Sequence, residues 1–246
     1  MSKKLLILNP NTSVEMTRDI EITVEKYKSS DVEAVVKKPD FGAQSLESFY
    51  DYTLAAFGCI RLLEKEKNNY NGVLIACFGD PGLYSIKEMV DYPVIGIAES
   101  SIMMANLMGQ KFGLLVALDK AVALMTDMVG QYGMRDRCAA IEPLNISVLD
   151  VEKNKEESIK KLIEVGRKAV SKGAEVLILG CAGMTGMKEG VEKELGVPVI
   201  DPVECGYKVL EMMVKGNFKI SKKGLYMAPP EKKIEKSELL FDDILM

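Results

Sequence analysis

GVLIAC closes at Cys77 and VLILGC at Cys181, two hydrophobic runs about a hundred residues apart that each end in a cysteine. After each cysteine come a glycine-bearing turn, a short amphipathic segment and a second matched string, YPVIGIAES from Tyr92 and VPVIDPVEC from Val197. A unit used twice predicts two lobes of one design, and a chain of 246 residues is long enough to bury a core in each.

Strand-like runs alternate with helical patterns, which predicts parallel sheets in an α/β fold. In the first half the strands are placed at Lys4 to Asn9, Val32 to Lys38, Gly72 to Cys77 and Val94 to Ala98. Helices are expected at Ser13 to Lys28 and Leu46 to Glu66, with a short one after Cys77. The first helix carries a capping box, Thr12 with Glu15, and an inward stripe of Met16, Ile20, Val24 and Tyr27.

The second half opens at KFGLLVAL, Lys111 to Leu118, which has the character of KKLLILNP. It continues through a helix to about Tyr132, a strand around Ile141 or Val148, a helix from Asn154 to Lys172 stopped by Gly173, and strands at Val176 to Gly180 and Pro198 to Asp201. A last helix, about Val203 to Val214, is expected to return to the first lobe. The lobes are thus expected at 1–98 with 205–246, and at 99–204. The closing SELLFDDILM is amphipathic and fits either packing on a partner subunit or fraying.

Charge narrows the partners. The chain has 32 basic and 36 acidic side chains and no polybasic run, so nucleic acid is not expected. The apolar run near the start is too short for a signal sequence and no stretch reaches the ~18 apolar residues of a membrane span, so neither export nor a membrane is expected and the chain is placed in the cytoplasm. Five widely spaced cysteines with no CxxC pair read as reduced thiols, neither a disulfide framework nor a zinc cluster. There is no histidine, so a proton moved near neutral pH must use another group.

Ligands of open parallel sheets sit outside the carboxyl ends of the strands, where both Cys77 and Cys181 fall. Two lobes facing each other would present one thiol from each side of a bound molecule, as inversion of a carbon centre requires. Helix N-termini and amide donors nearby can lower a thiol pKa. Asp80 and Pro81 read as the cap and first residue of one such helix, and the GCAGM turn leads into another. Cysteine is also among the most buried residue types. Cys59, Cys138 and Cys205 are read as packing residues, Met103, Met104, Met125 and Met128 as core filling. Asn9, ending the first strand, either reaches the crevice or is an ordinary turn asparagine. Phe41 to Ser45 form either a further wall or a plain loop.

ILNPNTS at Ile7 to Ser13, ACFGDPGL at Ala76 to Leu83 and LGCAGM at Leu179 to Met184 resemble, in order and spacing, the hydantoin and allantoin racemases of the aspartate/glutamate racemase superfamily. The resemblance runs to about Pro230. It implies a cofactor-independent, metal-free racemase of two pseudosymmetric α/β lobes, each with a mostly parallel sheet flanked by helices and the active site in the crevice between them. It further implies Cys77 and Cys181 as paired acid and base, and Asn9, Phe78, Gly79, Leu118, Ala182 and Gly183 as pocket residues. It carries the expectation of a small-molecule substrate and a homo-oligomer.

CysPheGly and CysAlaGly offer mainly backbone donors, which suit an uncharged amide ring. Many hydantoin racemases carry a threonine pair where this chain has Ala117 and Leu118, which opens the choice of substrate toward a more apolar compound. The expected reaction is racemisation at the carbon next to a carbonyl, C5 of a 5-substituted hydantoin or allantoin, with Gly79 and Gly183 amides on the enolate and Asn9 orienting the ring. Amino-acid racemisation, cysteine-dependent cis–trans isomerisation and non-catalytic metabolite binding are the alternatives.

Overall fold

The computed structural model describes residues 3–233 and Glu235, so the SELLFDDILM segment lies outside the described residues. The first sheet is built from β1 (Lys3–Leu8), β2 (Val32–Lys37), β3 (Gly72–Ile75) and β4 (Val94–Gly96), with helices α1 (Val14–Tyr27), α2 (Phe49–Glu66) and α3 (Leu83–Met89) between them. Helix α4 (Ile97–Met108) leads to β5 (Phe112–Val116), α5 (Lys120–Gln131), β6 (Cys138–Pro143), α6 (Val148–Lys153), α7 (Lys155–Ser171), β7 (Val176–Leu179), α8 (Lys188–Leu195) and β8 (Val199–Ile200). Helix α9 (Pro202–Lys215) follows.

The two sheets have the same order, β2-β1-β3-β4 and β6-β5-β7-β8, with every pairing parallel. Parallel strands need crossovers, and helices covering both faces explain why β3, β5 and β7 are buried along their whole length. Helix α9 packs on β1, β3 and β4 of the first sheet and on α4, while α4 also lies against β5 and β7, so these two helices form the seam between the sheets.

Four readings of the sequence need correction. The cap of α1 is Ser13, whose side chain accepts from the Met16 amide at 3.1 Å; Thr12 instead ties to Gly42 and Ala43. Of the two strand positions offered, Ile141 lies in β6 as expected, and Val148 instead opens α6 under a Ser147 cap. Helix α4 was missing from the sequence reading because it starts directly at the end of β4, whose last residue Gly96 is also its cap, with no separate turn segment between them. Asp80 does not cap the helix after Cys77. Helix α3 begins at Leu83 behind Gly82, and the Asp80 carboxylate crosses to the N-terminus of α4, accepting from Ala98 N–H at 3.0 Å and Glu99 N–H at 2.7 Å.

That last contact has a counterpart built differently. In the second half the carboxylate belongs to Asp201, which caps its own helix α9 through Val203 N–H at 3.0 Å and Glu204 N–H at 3.2 Å. Gly96 stands where the matched string has Asp201, and a methyl there would lie 2.1 Å from the Asp80 carboxyl. Lys87 pairs with Glu99 at 2.6 Å in the first half, and Lys188 with Glu204 at 3.4 Å in the second. Both halves have the cap, and the residue whose carboxylate accepts from the helix amides differs between them.

Candidate active site

Cys77 and Cys181 each lie two residues beyond the end of an equivalent strand, β3 and β7, and both are half-buried with a face on one common cavity. Cys59 and Cys205 are buried, and Cys138 sits elsewhere with its Sγ directed at the Ala140 carbonyl, 3.6 Å away. Of the other residues singled out from the sequence, Phe78 and Leu118 line the cavity with the cysteines, together with Ala117. Asn9 is fully buried and spends its amide locally, donating to Asn11 Oδ1 in its own turn at 3.0 Å and to Thr17 Oγ1 in α1 at 2.9 Å. It is not among the cavity's lining residues. The loop Phe41 to Ser45 is not either; Phe41 packs on Phe57 with ring centroids 5.9 Å apart.

The amides near the two thiols are not equivalent. Gly79 N–H donates to the Cys77 carbonyl at 2.9 Å, closing the turn that presents the thiol. Gly183 N–H donates to Cys181 Sγ at 3.4 Å. Both glycine amides are therefore engaged, and among the described residues the Phe78 and Ala182 amides have no hydrogen-bond acceptor.

Burial dominates the electrostatics. It raises Cys77 well above the ordinary thiol value, with the nearby charges of Cys181 and Asp80 adding to the effect. Burial also pushes Cys181 up to about 11, although the Gly183 amide acts the other way. The sequence suggested that amides and helix ends could depress these thiols; desolvation of a charged sulfur is the larger effect here. Mutual repulsion makes the form with one thiolate and one thiol the charged state most easily reached. Asp80 is raised to about 7 by burial, which outweighs the hydrogen bonds from Tyr132 Oη at 2.6 Å and from Ala98 and Glu99.

The remaining wall comes from residues that no motif flagged: Leu46, Glu47, Tyr52, Ala121, Met125 and Val148. Glu47 leaves the loop before α2 and accepts from the Val148 amide at the start of α6 at 3.2 Å, linking the two halves over the cavity. Tyr52 is held against Gly79, where a methyl would meet the ring at 2.7 Å. Its phenol is pushed up by burial and then by the charges of Cys77, Cys181 and Asp80, so it stays protonated. A glycine immediately before Asp80 was the one sequence sign that something bulky approaches there. Met125, read as core filling, is buried and also lines the cavity. Among the described residues no three histidine, cysteine, aspartate or glutamate side chains are grouped to hold a metal, and no helix is long and apolar enough to cross a membrane.

Residues 5–210 match the family model described as Asp/Glu/Hydantoin racemase. The chain belongs to this racemase family. It is similar to the hydantoin racemase of Pseudomonas sp. (strain NS671), 39% identical over 231 residues and covering 93% of each chain. To the hydantoin racemase of Paenarthrobacter aurescens it is 34% identical, covering 93% of this chain and 98% of that one. Among solved structures it resembles an allantoin racemase from Klebsiella pneumoniae, with a TM-score of 0.91 at 31% identity, covering 98% of this chain and 100% of the other. A glutamate racemase from Francisella tularensis shares the fold, with a TM-score of 0.64 at 14% identity. As a member of the Asp/Glu/hydantoin racemase family the protein is an isomerase, and its paired four-stranded sheets are those of the family.

Proposed function

We propose that the protein racemises C5 of a 5-substituted hydantoin or of allantoin without a cofactor, using Cys77 and Cys181 as the two bases. The observation that carries this reading is that two half-buried thiols, delivered by equivalent strands of the two sheets, open on one cavity. The lobes, 1–98 with the chain from 205 onward and 99–204, supply one thiol each. One sulfur, as thiolate, takes the C5 proton and becomes a thiol; the electron pair moves onto the ring carbonyl as an enolate; the opposite thiol returns a proton to the other face and is left as thiolate. The roles are exchanged for the other enantiomer. The Phe78 amide, on the cavity wall, is a donor free to receive the enolate oxygen.

The walls favour a neutral ring over an amino acid. Among the described residues no lysine or arginine lines the cavity to pair with an α-carboxylate, and Glu47, the one carboxylate there, is bonded to the Val148 amide. In the cell we place the enzyme in the cytoplasm, as a homo-oligomer acting on a small molecule.

The deciding experiment incubates single enantiomers of allantoin, substituted hydantoins, aspartate and glutamate in deuterated water. Loss of optical rotation with deuterium uptake at C5 of a ring compound supports the reading; turnover of the amino acids alone, or thermal stabilisation by a ligand with no deuterium uptake, sinks it.

The raised thiols also fix a pH dependence. Because burial favours the neutral thiol, kcat/KM should climb with pH along a limb centred above the ordinary thiol value of 9.0. Folding stability should move the other way. An unfolded chain releases its thiol protons near 9.0 and the folded one holds Cys181's to about 11, so stability is lost as pH rises across that window. A pH–rate profile flat from 7 to 10 would contradict the assignment.

A further inference from the structure

The cysteine cavity is small, about 40 Å³. Across Tyr52 and Met125, which line both spaces, lies a second cavity of about 410 Å³. Its walls are largely carbon: Phe49 and Ala56 from α2, Tyr84 from α3, Leu124 and Met128 from α5. Its polar members are already occupied or at the rim, since the Asp80 carboxylate is bonded by Tyr132 and the α4 amides and Asp127 is exposed. A molecule whose reacting carbon lies between the two thiols has no room there for a bulky substituent, and the neighbouring space that can take one is this outer chamber.

Tyr52 is the partition. Its ring rests on Gly79 and edge-on against Phe49 at 6.4 Å between centroids. Among the described residues its hydroxyl has no hydrogen-bond partner, so packing alone holds it. Among the described residues it is also the one hydroxyl on the cysteine cavity's wall, in a chamber where Ala117, Leu118 and Ala121 offer none. A hydroxyl that binds nothing in the protein, on a residue lining the same cavity as the two sulfurs, is placed to donate to a ring carbonyl.

We propose that Tyr52 determines the specificity of the site: its hydroxyl donates to a ring carbonyl, and its ring directs an apolar substituent on the reacting carbon into the outer chamber. The substrate class is therefore a cyclic ureide carrying an aryl or branched alkyl group, preferred over one carrying a polar ureido group. This rests on the racemase reading above.

The test measures kcat/KM for racemisation of 5-methylhydantoin, 5-benzylhydantoin and allantoin. Wild-type enzyme is expected to prefer the benzyl compound over both others by about tenfold or more, the range that apolar pockets achieve. Thr53→Trp, at an exposed position on the outer chamber's wall, should collapse the benzyl-to-methyl ratio toward one. If that variant does not fold, Ala56→Leu serves in its place. Tyr52→Phe keeps the partition and loses the donor, so all ring substrates should fall by about 10- to 100-fold with the benzyl preference intact. A wild-type ratio near one, an unmoved ratio in the filled chamber, or Tyr52→Phe within twofold of wild type would each overturn the proposal while leaving the two-cysteine chemistry standing. If wild-type enzyme neither racemises nor deuterates any of the three, the racemase reading falls, and this inference with it.

Discussion

Cys77→Ser and Cys181→Ser should each lower racemisation by at least ~10³-fold, at the strong end of what a positioned acid or base contributes. Serine keeps the shape of the thiol and removes the acidity, so the loss is expected without unfolding. A finer outcome separates two-base chemistry from any mechanism that uses one residue. If the sulfurs flank the ring as proposed, each variant keeps one of them on a single face and should still exchange the C5 hydrogen of one enantiomer with deuterated solvent, slowly and without inversion. The two variants should choose opposite enantiomers. Proton NMR at C5 beside polarimetry reads both quantities. If both variants exchanged the same enantiomer, the sulfurs would not lie on opposite faces. A variant racemising at full rate would remove that cysteine from the mechanism.

The second large effect is expected at the loop that follows Cys77 and at the helix end that loop supports. Gly96→Ala places a methyl 2.1 Å from the Asp80 carboxyl carbon. At that distance the carboxylate must move, and moving breaks its bonds from the Ala98 and Glu99 amides and the Tyr132 hydroxyl. The variant should lose the cap of α4 and strain the loop that follows Cys77, at a combined cost of about 3 kcal/mol. For a chain of this size that is a drop in Tm of roughly 6–12 °C. Thermal unfolding of Gly96→Ala, Asp80→Ala and the double variant forms a cycle. The alanine at 96 should cost much less once Asp80 is gone, and purely additive effects would show that the two positions do not meet. Activity should fall in Gly96→Ala as well, because Asp80 and Gly79 both donate to the Cys77 carbonyl in the turn that presents the thiol.

The parallel sheets were legible because their strands are continuous apolar runs, buried on both faces, and because the runs recur in the same order. The paired cysteines were legible for the same reason: a thiol at one strand end is ordinary, and a thiol at two equivalent strand ends is a pattern. What escaped the sequence was whatever depends on contact between distant segments. Tyr52 sits in the first turn of α2, and nothing in the periodicity of that helix separates it from Phe49 or Thr53. Glu47 matters because α6 ends up beneath it, a hundred residues later in the chain. Asn9 was weighed between pocket and turn, and the structure has its short amide bonded to Asn11 in the turn and to Thr17 in the helix that follows. Thiol acidity was misjudged because a sequence exposes the donors near a sulfur without the depth of burial that outweighs them.

The exchanged carboxylates of Asp80 and Asp201 bear on how two copies of a unit can drift apart. Passing from one arrangement to the other takes two substitutions, and each single step is unfavourable: it leaves either a helix start with no anion or two anions competing for the same amides. Asp80→Gly with Gly96→Asp would carry the first half through that barrier to the solution its twin already uses, and glycine suits the φ of 44° at position 80. A chain that tolerates the pair yet rejects either member alone would display, in two residues, why the halves of a duplicated enzyme become unable to trade parts while still doing the same job.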